Sequence, residues 1–106
     1  MSQEVKRLLL QFQQLMGTVN QEIINPEIEE LSVDSLRPLV TLVARSRAVY
    51  LKELYELSKR YDGSDQFPTE QEMKKLKKLR TRYIDLVDGA QSFEISIQRG
   101  YLDIKG

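Results

Sequence analysis

Apolar residues recur at steps of three and four along three long stretches of this chain, and that period decides what it can fold into. In a helix, such spacing places the apolar side chains on one face, where they can be buried together. Turn-forming residues separate the stretches at Asn25-Pro26 and at segment 62–68. The pattern therefore predicts an all-α fold: an up-down-up bundle of three long amphipathic helices at about residues 3–23, 34–61 and 69–98.

The first predicted helix carries a regular apolar stripe, made of Val5, Leu8, Leu9, Phe12, Leu15, Met16, Val19 and Ile23. Leu10 lies away from that stripe. The second predicted helix, roughly 40 Å long, is longer than a compact domain of this size needs, since its radius of gyration would be about 13 Å. Elongated helices leave apolar flanks uncovered, so we expect residues 1–106 to form one helical domain that assembles as a homodimer or larger oligomer.

Capping residues set the predicted helix ends. The motif Asn25-Pro26-Glu27 combines a cap, a first-turn proline and an acid, and it predicts a short helical turn near residues 26–31. Pro38 is expected in the first turn of the second helix, where its missing N–H costs least. Asp34 or Ser35 would then be the N-cap.

The C-terminal segment fits two structures. The helical stripe continues through Phe93 and Ile97, which favours a helix to about Gln98. The same segment also alternates with a period of two, and a turn near Gly100 would make residues 93–104 a short hairpin. An isolated pair of strands is only marginally stable, so the helix is favoured and the hairpin stays open as an alternative.

The chain contains no cysteine and no histidine. Their absence excludes disulfides, thiolate metal sites, Ser-His-Asp catalysis and imidazole acid–base chemistry. The acidic residues do not follow calcium-loop spacing, and the isolated glycines form no phosphate-binding motif. We therefore expect no enzyme activity, no cofactor and no metal.

The apolar runs also bear on location. The longest near the start, Leu8-Leu9-Leu10, is followed at once by polar residues. That run is too short for a signal-peptide core or a membrane span. The expectation is a cytoplasmic protein that does not engage a membrane.

The densest charge lies in the third predicted helix, where residues 74–82 carry six positive charges. Like charges at this density repel one another, so helix stability does not explain them. The cations that project away from the apolar stripe, and that could contact nucleic-acid phosphates or an acidic protein surface, are Lys74, Lys75, Lys78 and Arg82. The alternative is a solvated face balanced by acids on neighbouring helices, which the equal totals of 16 basic and 16 acidic residues favour.

Arg47 is unusual because it lies within the apolar stripe of the second predicted helix. An arginine at such a position must reach solvent, pair with a polar group or meet a ligand. We expect a buried polar pair that fixes the helix register, with Tyr83 of the third helix or a glutamine of the first helix as the candidate partner. A place at a dimer interface, or an anion site involving Arg47 and Tyr83, are the alternatives.

These features favour a small, non-enzymatic protein–protein interaction or regulatory module that forms a homo-oligomer and binds another protein through its outer helix faces. The alternative is a nucleic-acid-associated regulator that binds the phosphate backbone through the basic face of the third helix. The long helices and the seven-residue segment between them do not match a helix-turn-helix.

Overall fold

The computed structural model describes residues 2–105 and confirms the all-α prediction. It contains α1 (Gln3–Ile24), α2 (Val33–Arg60) and α3 (Glu70–Gln98), with a 3-10 turn at Asn25–Glu27. The chain divides into two compact units, and both α2 and α3 cross from one to the other. The terminal unit comprises the chain up to Leu36 and from Ser92 onwards, and the hairpin unit is Arg37–Gln91.

The connection after α1 is shorter in its helical part than the sequence predicted. Only Asn25–Glu27 is helical, and Ile28 already has extended dihedral angles of φ −133° and ψ 130°. The extended chain leads to Leu31, which forms an isolated parallel bridge with Ile104. Pairing with the C-terminal segment thus replaces the remaining predicted turn.

The alternative hairpin at residues 93–104 does not form, because α3 continues to Gln98 and the chain turns at Gly100. Gly100 has a positive φ of 75°, which glycine adopts without steric cost. Its N–H donates to Ile97 at 3.1 Å, and the Tyr101 N–H donates to Ser96 at 2.9 Å, the two bonds of a Schellman motif. This ending directs residues 101–105 towards Leu31 rather than back along α3.

The core of the terminal unit lies at this junction. Leu31 and Leu102 are both 5% exposed. Backbone hydrogen bonds join Leu31 N–H to Asp103 (2.9 Å) and Lys105 N–H to Leu31 (2.7 Å). The side-chain amide of Asn25 forms two further hydrogen bonds. It donates to the Asp103 carboxylate at 2.9 Å and accepts from the Asp103 N–H at 2.8 Å.

The start of α2 differs from the prediction by one residue. Ser32, rather than Asp34 or Ser35, caps the helix, because Ser32 and Ser35 exchange hydrogen bonds between their N–H groups and hydroxyls at 2.8 and 3.2 Å. Pro38 consequently lies in the second turn of α2 and not in the first. Its ring leaves the carbonyl of Asp34 without a helical donor close to the boundary between the units.

In the hairpin unit, α2 and α3 pack against each other. Leu57 is 3% exposed, and Ser46 is buried with its hydroxyl donating to the Val43 carbonyl at 2.8 Å. The predicted stripe of α3 faces this contact, since its half-buried members are Leu76, Leu79, Tyr83, Leu86, Val87 and Ala90. The third helix therefore presents its basic run to the outside.

Candidate interaction surfaces

Arg47 and Tyr83, which the sequence suggested as partners, lie together between α2 and α3. The Arg47 Nε donates to the Tyr83 hydroxyl at 3.0 Å, and the guanidinium carbon lies 5.3 Å from the Tyr83 ring centre. Tyr50 stacks on the other side of this pair, with its ring centre 6.0 Å from that of Tyr83. Arg47 itself is exposed, which corrects the expected buried position. Its guanidinium lies over the Tyr83 ring and remains accessible to water.

This geometry predicts a modest effect for Arg47→Ala. An exposed cation–π contact and one hydrogen bond together contribute about 1 kcal/mol to the free energy of unfolding. Urea denaturation measures it, with Arg45→Ala as the control because Arg45 is an exposed neighbour without these contacts. A loss of several kcal/mol would show instead that Arg47 is buried and paired.

Glu72 joins the two ends of the connection between α2 and α3 through hydrogen bonds. Its carboxylate accepts hydrogen bonds from the Tyr61 hydroxyl, the Arg60 guanidinium and the Thr69 N–H, the last at 2.9 Å. The Thr69 hydroxyl in turn accepts from the Glu72 N–H at 3.1 Å, which completes a capping box. The Tyr61 hydroxyl and the Thr69 N–H lower the pKa of Glu72 to about 2. The hydrogen bond to Glu72 raises the pKa of Tyr61.

The hairpin unit is therefore expected to lose stability in acid through Glu72. Because its pKa falls from an ordinary 4.5 to about 2, the stabilisation is complete above pH 4.5 and disappears as the pH approaches 2. Thermal denaturation between pH 2 and 7 measures this, and Glu72→Gln should flatten the decline. Glu70→Gln, two residues earlier at an exposed site, is the control and should keep the decline. An equally steep profile in Glu72→Gln would contradict the assignment.

The basic run of α3 is divided between two environments. Lys75 turns towards α2 and pairs with Glu53 at 3.3 Å. Lys74 lies 3.8 Å from Glu70, and both side chains are at least 75% exposed. Within residues 2–105, no ion pair is formed by Lys77, Lys78, Arg80 or Arg82. The cations without an ion pair thus include Lys78 and Arg82 from the predicted set. Lys77 and Arg80 join them, although the helical wheel did not place them in that set.

The division into units reveals a charge separation that the whole-chain total hides. The hairpin unit contains twelve Lys and Arg against eight Asp and Glu, a net charge of +4. The terminal unit contains four basic and eight acidic residues, a net charge of −4. The neutral total is therefore not evidence that the cations of α3 are balanced by acids around them.

The apolar stripe of α1 is exposed along its whole length. All eight of its residues are between 39% and 66% exposed. The half-buried residues of α1 are Gly17, Asn20 and Ile24, which lie on a different flank. On that side, Arg99 and Tyr101 line a cavity with Gln13, Met16 and Gly17, so the cavity reaches the edge of the stripe at Met16. The terminal unit therefore half-buries one flank of α1, while the stripe stays largely exposed.

Of the helices formed by residues 2–105, none is both long enough and apolar enough to cross a membrane. Among the same residues, no three acidic side chains come together where they could hold a metal ion. Comparison of the chain with protein-family models, with curated proteins and with solved structures finds no match in any of the three.

Proposed function

We propose that this protein is a small, non-enzymatic interaction module that assembles by pairing the stripe of α1 with the same stripe on a second copy. The observation that carries the proposal is the exposure of all eight stripe residues in a helix that is half-buried only at Gly17, Asn20 and Ile24. Exposed apolar patches on monomers rarely exceed a few hundred Å². A stripe of this extent is typical of an interface.

The arrangement of the stripe supports a helical partner. Three of its positions repeat at intervals of seven residues: Val5, Phe12 and Val19; Leu8 and Leu15; Leu9, Met16 and Ile23. Such a repeat aligns apolar residues along one side of a helix so that they fit between those of a parallel or antiparallel neighbour. Eight side chains about half exposed offer on the order of 700 Å², close to the roughly 800 Å² that each partner buries in a standard interface.

The charge of α1 permits a second copy as that partner. α1 contains two basic and two acidic residues, Lys6, Arg7, Glu4 and Glu22, so the paired helices carry no net charge of their own. A two-fold arrangement also lets one surface serve both partners. The small interior adds to the argument, because Leu31, Leu57 and Leu102 are the only apolar residues that are buried among those described. A second copy would bury apolar surface that the single chain does not.

The class of function follows from side-chain chemistry. A chain without cysteine or histidine lacks thiolate nucleophiles and imidazole acid–base groups, which supports an interaction role over catalysis. The direct test is the mass in solution as a function of concentration, by sedimentation or light scattering. We expect twice the chain mass of 12.4 kDa. A 12.4 kDa species at high micromolar concentration would overturn the proposal.

A further inference from the structure

We propose that the hairpin unit binds B-form DNA, with the outer side of α3 seated in the major groove and cations on both of its flanks contacting the two phosphate backbones. The residues concerned form the cation ridge: Lys74, Lys77, Lys78, Arg80 and Arg82. This binding role is separate from assembly through α1.

The cation ridge has two sides. Lys78 and Arg82 line a shallow groove along one flank of α3, with Asp85 at its end. Arg80 lines a second groove along the other flank, with Glu70 at its end. Lys74 and Lys77 border both grooves. A helix of about 10–12 Å diameter fits a major groove about 12 Å wide, and its flanks then face one phosphate strand each. Cations on both flanks match that arrangement better than they match a flat acidic surface.

Most cations of the ridge have no acidic partner among residues 2–105. Four of the five cations form no ion pair among residues 2–105, and Lys74 has only the long, exposed contact to Glu70. The remaining cation of the run, Lys75, is fixed against Glu53 of α2, which helps hold the orientation of α3. The net charge of +4 on the hairpin unit adds long-range attraction for a polyanion.

Acidic residues limit the length of the contact. Glu70 precedes the ridge, while Asp85 and Asp88 follow it. The ridge between them spans roughly 13 Å of helix, which corresponds to about four base pairs of duplex. So short a contact predicts that binding depends mainly on contacts to phosphates, and that affinity therefore falls as the salt concentration rises.

The composition of the ridge discriminates among nucleic acids. Residues 74–82 include no aromatic side chain, so the platform on which single-stranded bases stack is missing from the ridge. A-form RNA has a deep, narrow major groove that does not admit a helix. We therefore expect a preference for DNA duplex over both single strands and RNA duplex.

The test is fluorescence anisotropy with a random-sequence, 20-base-pair DNA duplex. Four phosphate contacts give a slope of about −3.6 in log K against log[salt], which weakens binding roughly 150-fold between 50 and 200 mM salt. The variant Lys77→Gln/Lys78→Gln/Arg80→Gln/Arg82→Gln should lose duplex binding at 50 mM salt. Circular dichroism checks that it stays helical, as expected because these residues are exposed.

A matched control removes the same charge from α2 of the same unit: Arg37→Gln/Arg45→Gln/Lys52→Gln/Lys59→Gln. It should keep duplex binding within several-fold of the wild type, since only the long-range attraction changes.

The proposal is overturned if the wild type does not bind duplex at 50 mM salt, or if the two quadruple variants lose binding equally. Tighter binding to poly-glutamate would assign the ridge to an acidic protein instead, and equal affinity for RNA duplex would exclude seating in the major groove.

Discussion

Replacing Leu8 and Leu15 by glutamine is expected to convert the assembled protein into a 12.4 kDa monomer. Both leucines occupy the same position of the seven-residue repeat and are 66% and 60% exposed in the single chain. Burying a leucine contributes about 1.5 kcal/mol at the lower end of the range. Two leucines in each of two copies therefore contribute on the order of 6 kcal/mol, a weakening of about 10⁴-fold in the dimer.

Leu10 offers a control within the same helix. It is 56% exposed but lies off the stripe, so Leu10→Gln removes the same kind of side chain without touching the proposed interface. Sedimentation should show an unchanged assembly for Leu10→Gln and a monomer for the double variant. Glutamine is a good helix former, so circular dichroism should match the wild type in both. Equal dissociation by the two variants would mean that the stripe is not the contact.

The sequence predicted helices more readily than it predicted what they face. The period of three and four located α1, α2 and α3 to within one residue at every end. The cap of α2 was less predictable, since Ser32 begins that helix instead of Asp34 or Ser35. The period also identifies the apolar stripe of α1. It does not reveal that the terminal unit half-buries another flank of this helix, because that contact depends on residues more than eighty positions later in the chain, Arg99 and Tyr101.

The candidate site shows the same division between local and distant information. Six cations in nine residues are visible in the sequence, and a helical wheel separates those that face outwards. The wheel could not show that Lys75 would pair with Glu53, since that contact depends on how α2 and α3 align. Nor does the total charge show that net positive charge collects in the hairpin unit. Tyr83 was among the candidate partners of Arg47, but the Arg47 guanidinium lies over the Tyr83 ring at an exposed position instead of being buried.

Leu102→Ala is expected to release the C-terminal segment from the terminal unit. Leu102 is 5% exposed and packs in the same small core as Leu31, so truncation to alanine should cost about 3 kcal/mol. The amides that report this event are known: Leu31 donates to Asp103, and Lys105 donates to Leu31. A loss of about 3 kcal/mol makes local opening roughly 100-fold more frequent, and hydrogen exchange at these two amides should accelerate by that factor.

Ile104 provides the comparison that separates packing from backbone pairing. It forms the bridge with Leu31 yet is 57% exposed, so Ile104→Ala removes little buried surface and leaves the backbone hydrogen bonds in place. Exchange at Leu31 and Lys105 should then change only a few-fold. If Ile104→Ala accelerates exchange as much as Leu102→Ala, the segment is held by strand pairing rather than by Leu102. If neither does, the two leucines are not the core that holds residues 101–105 against the start of α2.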